Sequence, residues 1–258
     1  MTSAPGQLPA GEVRAMIDRI APRYDLLNRT MTVGIDGRWR AAAAAAADLA
    51  AGDRALDCCT GTGDLAFELA ERVTPLGAVV GLDFSEAMIA QATRKGAERG
   101  SHVHFQVGDA LALPFPDDHF AAATVAVGIR NVADLDGALT EMTRVVRPGG
   151  KVVVLEITTP AHLRAFYGLW FDRIVPQMGR LLGRDGAAYS YLPASVRRFP
   201  APPALAARMS AAGLEDTAII FSPAALFFAA PRGADRAVLA AIDRRLAALK
   251  KDPGSAYY

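Results

Sequence analysis

Residues 55–64 read ALDCCTGTGD and give the clearest indication of the fold of this chain. This stretch is a short apolar run that ends on an acid and is followed at once by a glycine turn. Gly61 and Gly63 carry no side chain and tolerate a positive φ, so the backbone here can approach a ligand closely. This pattern predicts a buried β-strand that leads through a binding loop into a helix.

Two further acids follow this loop at informative distances. Asp83 closes the next apolar run, VVGLD, and Asp109 lies in the segment VGDALALPFPD. Together with Asp57 in the loop strand, these carboxylates indicate a cofactor that carries a nucleoside, bound at the carboxyl ends of the strands. We expect Asp83 to accept hydrogen bonds from both ribose hydroxyls, since a carboxylate offers two acceptor oxygens. Asp109 and Ala110 would hold the adenine edge.

The glycine loop alone also fits a dinucleotide-binding fingerprint. GTGDLA satisfies G-x-G-x-x-A, and Asp83 follows about 20 residues on, as in nicotinamide enzymes. A pyrophosphate, however, would be repelled by Asp57 and Asp64, and no basic residue occurs between these two positions. A carboxylate in this place suits a cationic amino group instead. The sequence therefore predicts S-adenosylmethionine in preference to a dinucleotide.

The contacts to the methionine part of this cofactor follow from the loop. We expect the backbone of Gly61–Gly63 and the hydroxyl of Thr62 to touch it. Asp57 lies inside the strand before the glycines, so it would meet the amino group through water or through a backbone relay.

Composition narrows the class of protein. Hydrophobic residues make up 52% of the 258 residues and charged residues 21%, which favours a sizeable core and excludes global disorder. The balance of 28 basic against 27 acidic residues argues against a nucleic-acid-binding surface. Cys58 and Cys59 are adjacent and poorly placed for a disulfide, and the histidines lack metal-ligand spacing. We therefore expect a cytoplasmic protein without a metal.

Beyond the loop, strand-like and helix-like runs alternate, which predicts an α/β fold with a parallel sheet covered on both faces. The strand-like runs lie at Arg54–Cys58, Ala78–Leu82, Val103–Val107, Ala122–Val127, Lys151–Ile157, Thr217–Phe221 and Ala224–Ala229. The helix-like runs lie at Asp64–Val73, Ser85–Gly100, Leu135–Val146 and Leu205–Ala212, with Ser85 as an N-cap and Pro148–Gly149–Gly150 ending the third helix.

Three segments fall outside this alternation. Residues 12–50 read mostly as helix, broken around Thr32–Gly37, and predict an N-terminal helical lid over 1–50. Residues 160–203 are rich in aromatics, arginine and proline, and predict a cap inserted into a cofactor-binding domain over 51–233. We expect residues 234–258 to form a C-terminal helix and tail. This basic amphipathic helix either docks on the body or rests on a membrane surface.

Six segments in one order carry a family resemblance. They read IDRIAPRYDLLNRTMTVGIDGRWR (17–40), LDCCTGTGD (56–64), ALALPFPDDHF (110–120), GIRNVADLDGAL (128–139), MTRVVRPGGKVVVLE (142–156) and AAYSYLPASV (187–196). Together they closely resemble the ubiquinone/menaquinone biosynthesis C-methyltransferases. The resemblance implies the class I methyltransferase (Rossmann-like) sheet of seven strands with an antiparallel last strand. It also implies S-adenosylmethionine as donor, with contacts at Thr62, Asp83, Asp109 and Ala110.

The implied acceptor is a ring carbon of a polyprenylated quinol of the demethylmenaquinol or demethylubiquinol type. Arg130 would stabilise a phenolate or position a water that acts as base, unless it only anchors a salt bridge. Asn131 would orient the quinol oxygen. Tyr24, in the N-terminal helical lid, is a further candidate, unless it only packs in the core or the lid. Asp25 is a candidate base, with pairing to Arg29 four residues on as the alternative.

The cap offers candidate contacts to the acceptor. Tyr189 and Tyr191 would stack on the quinol ring or hydrogen-bond to it. A second group of apolar cap residues would line a channel for the isoprenoid tail, unless they only pack against the sheet. These residues are Phe166, Tyr167, Leu169, Trp170, Phe171 and Met178. Because such quinols reside in the bilayer, we expect peripheral membrane contact. A homodimer is a further expectation.

Two other functions remain open at this point. The C-terminal segment FSPAALFFAAPRG (221–233) departs from the family pattern and favours a methyltransferase of a specialised aromatic metabolite. An intact glycine loop with Asp83 and Asp109 speaks only for binding, so a non-catalytic module that binds S-adenosylmethionine is the other alternative.

Overall fold

The computed structural model describes residues 8–32, 34–157, 186–219 and 224–231. Two expectations lie outside these residues. One is the apolar channel built from Phe166 to Met178, and the other is the C-terminal helix after residue 233.

A twisted sheet forms the centre of the molecule, in the strand order β3-β2-β1-β4-β5-β7-β6. The first five strands in this order are mutually parallel, and β7 pairs antiparallel with both β5 and β6. This topology supports the predicted Rossmann-like methyltransferase class. The strands are β1 Arg54–Cys58, β2 Ala78–Asp83, β3 His104–Val107, β4 Phe120–Ala126, β5 Val146–Ile157, β6 Leu214–Ile219 and β7 Ala224–Pro231.

The helices of the described residues cover both faces of the sheet and its carboxyl edge. They are α1 Ala10–Ile20, α2 Tyr24–Met31, α3 Asp36–Ala46, α4 Asp64–Val73, α5 Glu86–Arg99, α6 Leu135–Val145, α7 Gly186–Arg198 and α8 Pro202–Ala211. None of them is long and apolar enough to cross a membrane, as far as the described residues show.

Two hydrophobic clusters explain why the strands are apolar throughout. On one face Leu56 and Phe120 pack with Leu139 and Met142 of α6 and with Leu205 of α8. On the other face the alanines of α3 and the leucines of α4 pack against Val79 and Val153. A strand buried on both sides has no solvated face, so the alternation of polar and apolar residues disappears.

A third, smaller cluster holds the N-terminal helices. Val13 and Met16 of α1 and Leu27 of α2 are buried together, with Tyr191 and Leu192 of α7 packed against them. The predicted break in this region occurs between α2 and α3. A further break at Ala21–Arg23 forms a short 3-10 turn with a proline in its first positions. The N-terminal helices therefore reach α7 across the carboxyl edge of the sheet.

Local signals fix most element boundaries. The Ser85 hydroxyl accepts a hydrogen bond from the Met88 N–H at 3.1 Å, which confirms the predicted N-cap of α5. The prediction for the Pro148–Gly149–Gly150 segment was wrong in one respect. Helix α6 already ends at Val145, and this segment lies inside β5, where its pairing with β4 shifts between Phe120 and Ala122.

Candidate active site

The loop after β1 takes the tight course that its glycines predict. Gly61 has a φ of 55° and Gly63 a φ of 87°, both in the left-handed region. Gly63 precedes α4 directly, and a Cβ at this position would lie 2.6 Å from the Phe105 Cζ atom. Glycine is therefore required here both for the backbone conformation and for the close packing of the Phe105 ring.

Asp83 links this loop to the end of β2. Its Oδ2 atom accepts a hydrogen bond from the Gly61 N–H at 2.9 Å, and its Oδ1 atom accepts one from the Ser85 N–H at 2.9 Å. Burial raises the pKa of this carboxyl, and the backbone donors oppose that rise. Because each oxygen has two lone pairs, the carboxylate can still accept hydrogen bonds from a ligand.

Asp57 supports the loop from beneath. Its side chain is buried and accepts hydrogen bonds from the hydroxyls of Thr60, at 2.6 Å, and Thr124, at 2.8 Å. Burial raises the pKa of Asp57 to about 7, although these hydroxyls stabilise its charged form. The carboxylate thus fixes the loop through the Thr60 hydroxyl.

Asp109 and Ala110 follow β3 at the same edge of the sheet. The Asp109 carboxylate is exposed and accepts a hydrogen bond from the Leu111 N–H at 2.9 Å. Ala110 is buried beside it. Small size at this position leaves room for a flat ring next to the carboxylate.

One cavity of about 1030 Å³ connects these groups with the N-terminal helices. Gly63 and Asp25 do not line it, and the structure describes Tyr189 only as part of its helix. The predicted site residues that line it are Tyr24, Asp57, Gly61, Thr62, Asp83, Asp109, Ala110, Arg130, Asn131 and Tyr191. The structure therefore brings most of the predicted site into one space at the carboxyl edge.

Arg130 borders the cavity but is held on several sides. Its Nη1 atom donates to Glu156 Oε1 at 2.6 Å and to the Val127 carbonyl at 2.6 Å, and its Nε atom donates to Ser195 Oγ at 3.3 Å. Glu156 is fully buried. Val127 has a φ of 56°, unusual for a β-branched residue, and these contacts hold it there.

Asn131 ends the short 3-10 turn Ile129–Asn131 next to Arg130. In the part of the chain that the structure describes, its Oδ1 atom is buried and accepts no hydrogen bond. Such an atom is costly to leave without a partner. Since Asn131 lines the cavity, a donor on a bound molecule would supply that partner.

The two lid candidates point in different directions. The Tyr24 ring lines the cavity, and its Cε1 atom lies 3.8 Å from the place of a Cβ on Gly61. Burial raises the pKa of its phenol, so Tyr24 stays neutral and can donate. Asp25 instead accepts hydrogen bonds from the Thr62 hydroxyl, at 2.5 Å, and from Lys95, at 2.7 Å. Asp25 therefore pairs with Lys95 rather than with Arg29, and its role as a base stays a prediction.

The two tyrosines from the cap both fall in α7. Tyr191 lines the cavity, packs on the cluster of α1 and α2, and has the Arg198 guanidinium 5.5 Å from its ring centre. Tyr189 lies two residues earlier in the same helix. Tyr191 is therefore placed at the junction of the cavity and the lid.

Comparison with known proteins decides the family. The sequence profile of the ubiE/COQ5 methyltransferase family matches residues 7–220. The chain belongs to the ubiE/COQ5 methyltransferase family. A demethylmenaquinone methyltransferase of Thermus thermophilus is 51% identical over 200 residues, which are 77% of this chain and 90% of that protein. The ubiquinone/menaquinone biosynthesis C-methyltransferase UbiE of Geobacter sulfurreducens is 43% identical, with 80% and 82% of the two chains covered.

A solved structure agrees on the fold. A SAM-dependent methyltransferase from Aquifex aeolicus superposes with a TM-score of 0.52 at 17% identity, covering 70% of this chain and 82% of that one. Membership in the ubiE/COQ5 family confirms the predictions of a methyltransferase and of S-adenosylmethionine as its methyl donor. It also decides against the dinucleotide alternative.

The charges around the loop of this ubiE/COQ5 family member agree with a cationic donor. Lys95 donates a hydrogen bond to Thr62, and its charge is balanced by two carboxylates, Asp25 and Asp64. Asp57 and Asp83 add acidic groups on the other side of the loop. Among the described residues no group of His, Cys, Asp or Glu is arranged to hold a metal ion.

Three residues of the site were missed in the sequence. Thr124 lies mid-strand and gave no signal. Glu156 ends the apolar run KVVVLE, so the rule that found Asp57 and Asp83, an acid closing a buried strand, could have found it. Lys95 lies on α5 among other basic residues, and only the fold distinguishes it from them.

Proposed function

We propose that this protein transfers the methyl group of S-adenosylmethionine to a ring carbon of a polyprenylated quinol, of the demethylmenaquinol or demethylubiquinol type. One observation carries the proposal. A single cavity joins the glycine loop of β1 to the Arg130–Asn131 turn after the neighbouring strand β4. Donor and acceptor can therefore lie side by side, which is the main requirement of a transfer between two bound molecules.

The residues of the loop fit the donor. When bound, S-adenosylmethionine supplies an electrophilic methyl group on a sulfonium. Asp83 would hold the ribose hydroxyls, while Asp109 and Ala110 would hold the adenine. Gly61 and Thr62 would contact the methionine part, and Asp57 would fix their loop from below through Thr60. Gly63 sets the shape of this loop.

The residues of the opposite turn fit the acceptor. A quinol hydroxyl that donates to Asn131 Oδ1 would satisfy the buried acceptor and orient the ring. That hydroxyl proton would pass to a water positioned by Arg130, and the ring carbon would then attack the methyl group as the bond from this group to sulfur breaks. S-adenosylhomocysteine would leave, and the methylated ring carbon would release its own proton to water, which restores the aromatic ring. The positive charge of Arg130, next to Asn131 in the same turn, would stabilise the negative oxygen left when the hydroxyl loses its proton. The neutral phenol of Tyr24 offers a further hydrogen-bond donor at the cavity wall.

The tail of the acceptor would leave along the apolar wall of α1 and α2. This wall contains Met16, Ile17, Ile20, Leu27 and Met31. Tyr191 and Leu192 face the same space from α7. The wall supports a prenylated substrate in preference to a small aromatic one, because a small ring would leave the apolar surface in contact with water.

The proposed reaction assigns a role to each predicted segment of the chain. Residues 1–50 act as a helical lid over the cofactor domain of residues 51–233, into which the cap of residues 160–203 is inserted. The lid has to open for the acceptor to enter. Peripheral membrane contact near the apolar wall would deliver the quinol from the bilayer, and a homodimer remains a separate expectation.

The test is an acceptor panel with labelled S-adenosylmethionine. It includes short-chain demethylmenaquinol and demethylubiquinol, their oxidised quinones, and simple phenols and indoles without a tail. We expect methyl transfer to the reduced quinols and little to the quinones, because only a hydroxyl can release the proton. Transfer to a tail-free aromatic but to no quinol would favour a specialised metabolite. Binding without transfer to any acceptor would favour the non-catalytic module.

A further inference from the structure

Lys95 occupies a position that the proposed reaction does not explain. It lies on α5, and its side chain is 14% exposed. The ammonium has three hydrogen-bond acceptors: Asp64 Oδ1 at 2.6 Å, Asp25 Oδ2 at 2.7 Å and Thr62 Oγ1 at 3.1 Å. An ammonium carries three donors, so these contacts use its full capacity.

The three acceptors come from different parts of the fold. Asp25 lies on α2 of the lid, Thr62 lies in the glycine loop, and Asp64 is the first residue of α4. The Thr62 hydroxyl also donates to Asp25 Oδ1 at 2.5 Å. Lys95 and Thr62 together therefore join α2 to the loop that contacts the cofactor in our proposal.

Helix α2 forms part of the wall over this loop. Tyr24, the residue before Asp25, stands against Gly61 in the cavity. A molecule bound along Gly61 and Thr62 would thus lie beneath α2, and its release would require α2 to move. The contacts of Asp25 resist that movement.

Electrostatics makes the lysine the decisive partner. Without it, the carboxylates of Asp25 and Asp64 would face each other across Thr62. Arg40 and Arg99 stand farther from Asp64, at 3.4 Å and 3.9 Å, than Lys95 does. Like charges that share one neighbouring residue repel, which would push α2 away from the loop.

We propose that Lys95 is a positioning residue that latches α2 over the cofactor loop and so sets how long S-adenosylmethionine stays bound. The inference rests on the proposed function only in placing the donor along Gly61 and Thr62. It does not depend on which molecule accepts the methyl group. The same latch would slow the release of the demethylated product, S-adenosylhomocysteine.

The experiment compares Lys95→Met with Lys95→Arg and with a control, Arg94→Met. Arg94 is the neighbouring residue on α5, its side chain is 67% exposed, and it pairs with Glu98 at 3.8 Å. Dissociation rates of S-adenosylmethionine and S-adenosylhomocysteine are measured by stopped-flow competition on the full chain. Thermal unfolding is recorded in parallel without ligand.

We expect Lys95→Met to raise both dissociation rates by about tenfold, since losing one partner of a hydrogen-bonded charge pair acts mainly on the off-rate. Arg94→Met should leave them unchanged, and Lys95→Arg should retain much of the slow release because it keeps charge and donors. A purely structural ion pair would instead lower the unfolding temperature of Lys95→Met and leave the dissociation rates alone. That result would overturn the proposal.

A double-mutant cycle with Asp25→Asn tests the contact itself. If Lys95 acts through Asp25, the double variant should release ligand no faster than the worse single variant. Additive effects of the two changes would show that they act separately and would also overturn the latch. Because neither test uses a methyl acceptor, a failure to methylate quinols would contradict the proposed function and leave the latch standing.

Discussion

Arg130 and Glu156 form a buried ion pair in which Nη1 donates to Oε1 at 2.6 Å. Glu156 comes near the end of β5, and Arg130 follows β4, the neighbouring strand. The pair therefore ties together the two strand ends that border the cavity beyond the glycine loop. Glu156 compensates the charge of Arg130. Arg130 would therefore act on a bound quinol through directed hydrogen bonds and by holding the turn that carries Asn131.

Glu156→Gln tests this pair. The change leaves the Arg130 guanidinium buried without its countercharge, so we expect the free energy of unfolding to fall by about 3 kcal/mol or more. Asp117→Asn, which breaks an exposed pair with Arg144 at 2.8 Å, is the control and should cost at most about 1 kcal/mol. Chemical denaturation measures both. Equal losses in the two variants would contradict the assignment of a buried pair.

Gly63→Ala tests the packing of the cofactor loop. A methyl group there would meet the Phe105 ring at 2.6 Å in addition to the strain of a positive φ. Gly100→Ala is a matched control, because Gly100 has a φ of 62° with open space around it. Strain alone costs about 1 kcal/mol. We expect Gly63→Ala to lose clearly more stability than the control, and similar losses would mean that the ring moves aside without cost.

Asp57 makes the stability of the fold depend on pH. Burial raises the pKa of its carboxyl from 3.8 to about 7, so the folded protein binds this proton more tightly than the unfolded chain. The contribution is therefore fully present below about pH 4 and is lost as the pH rises through about 7.

Asp57→Asn should remove this contribution. We expect its stability relative to the parent protein to rise by up to about 4 kcal/mol between pH 4 and pH 8, measured by denaturation at a series of pH values. Asp48→Asn, at an exposed carboxyl, is the control and should show no such trend. A parallel pH dependence of the Asp57→Asn variant and the parent would contradict the raised pKa.

Asn131→Ala separates the acceptor side of the cavity from the donor side. Removing Oδ1 takes away one hydrogen bond to the reacting hydroxyl, which should lower kcat with a quinol by about tenfold or more. Affinity for S-adenosylmethionine, measured by calorimetry, should stay as it is. Gln91→Ala, which removes an amide on α5 outside the cavity, is the control and should leave kcat unchanged. A loss of affinity for S-adenosylmethionine in Asn131→Ala with an unchanged kcat would contradict the placement of Asn131 beside the quinol.

The fold could be predicted where the signal was local. β1 and α4 occur with the predicted bounds because an apolar run, two glycines and an amphipathic helix follow one another directly. β4 begins at Phe120 rather than at Ala122, since alanines give a weak strand signal. β6 begins at Leu214 rather than at Thr217, because Glu215, its second residue, is of a type that is uncommon in strands.

The site could be predicted only in part. Asp83 was found because it ends a buried strand, and sheets of this kind bind ligands there. The partners of charged residues were not found, because tertiary structure chooses them. Asp25 pairs with Lys95, 70 positions away, and not with a residue of its own helix. Arg130 likewise pairs with Glu156 of the adjacent strand β5. Both residues lie in segments that resemble the family, but the sequence does not show that they meet.

The most direct measurement follows a ¹³C-labelled methyl group from S-adenosylmethionine into short-chain demethylmenaquinol. After turnover by the full chain, carbon NMR of the extracted product shows which atom carries the label. We expect the methyl group on a ring carbon. A label on a quinol oxygen, or no label in the quinol while the donor remains bound, would contradict it.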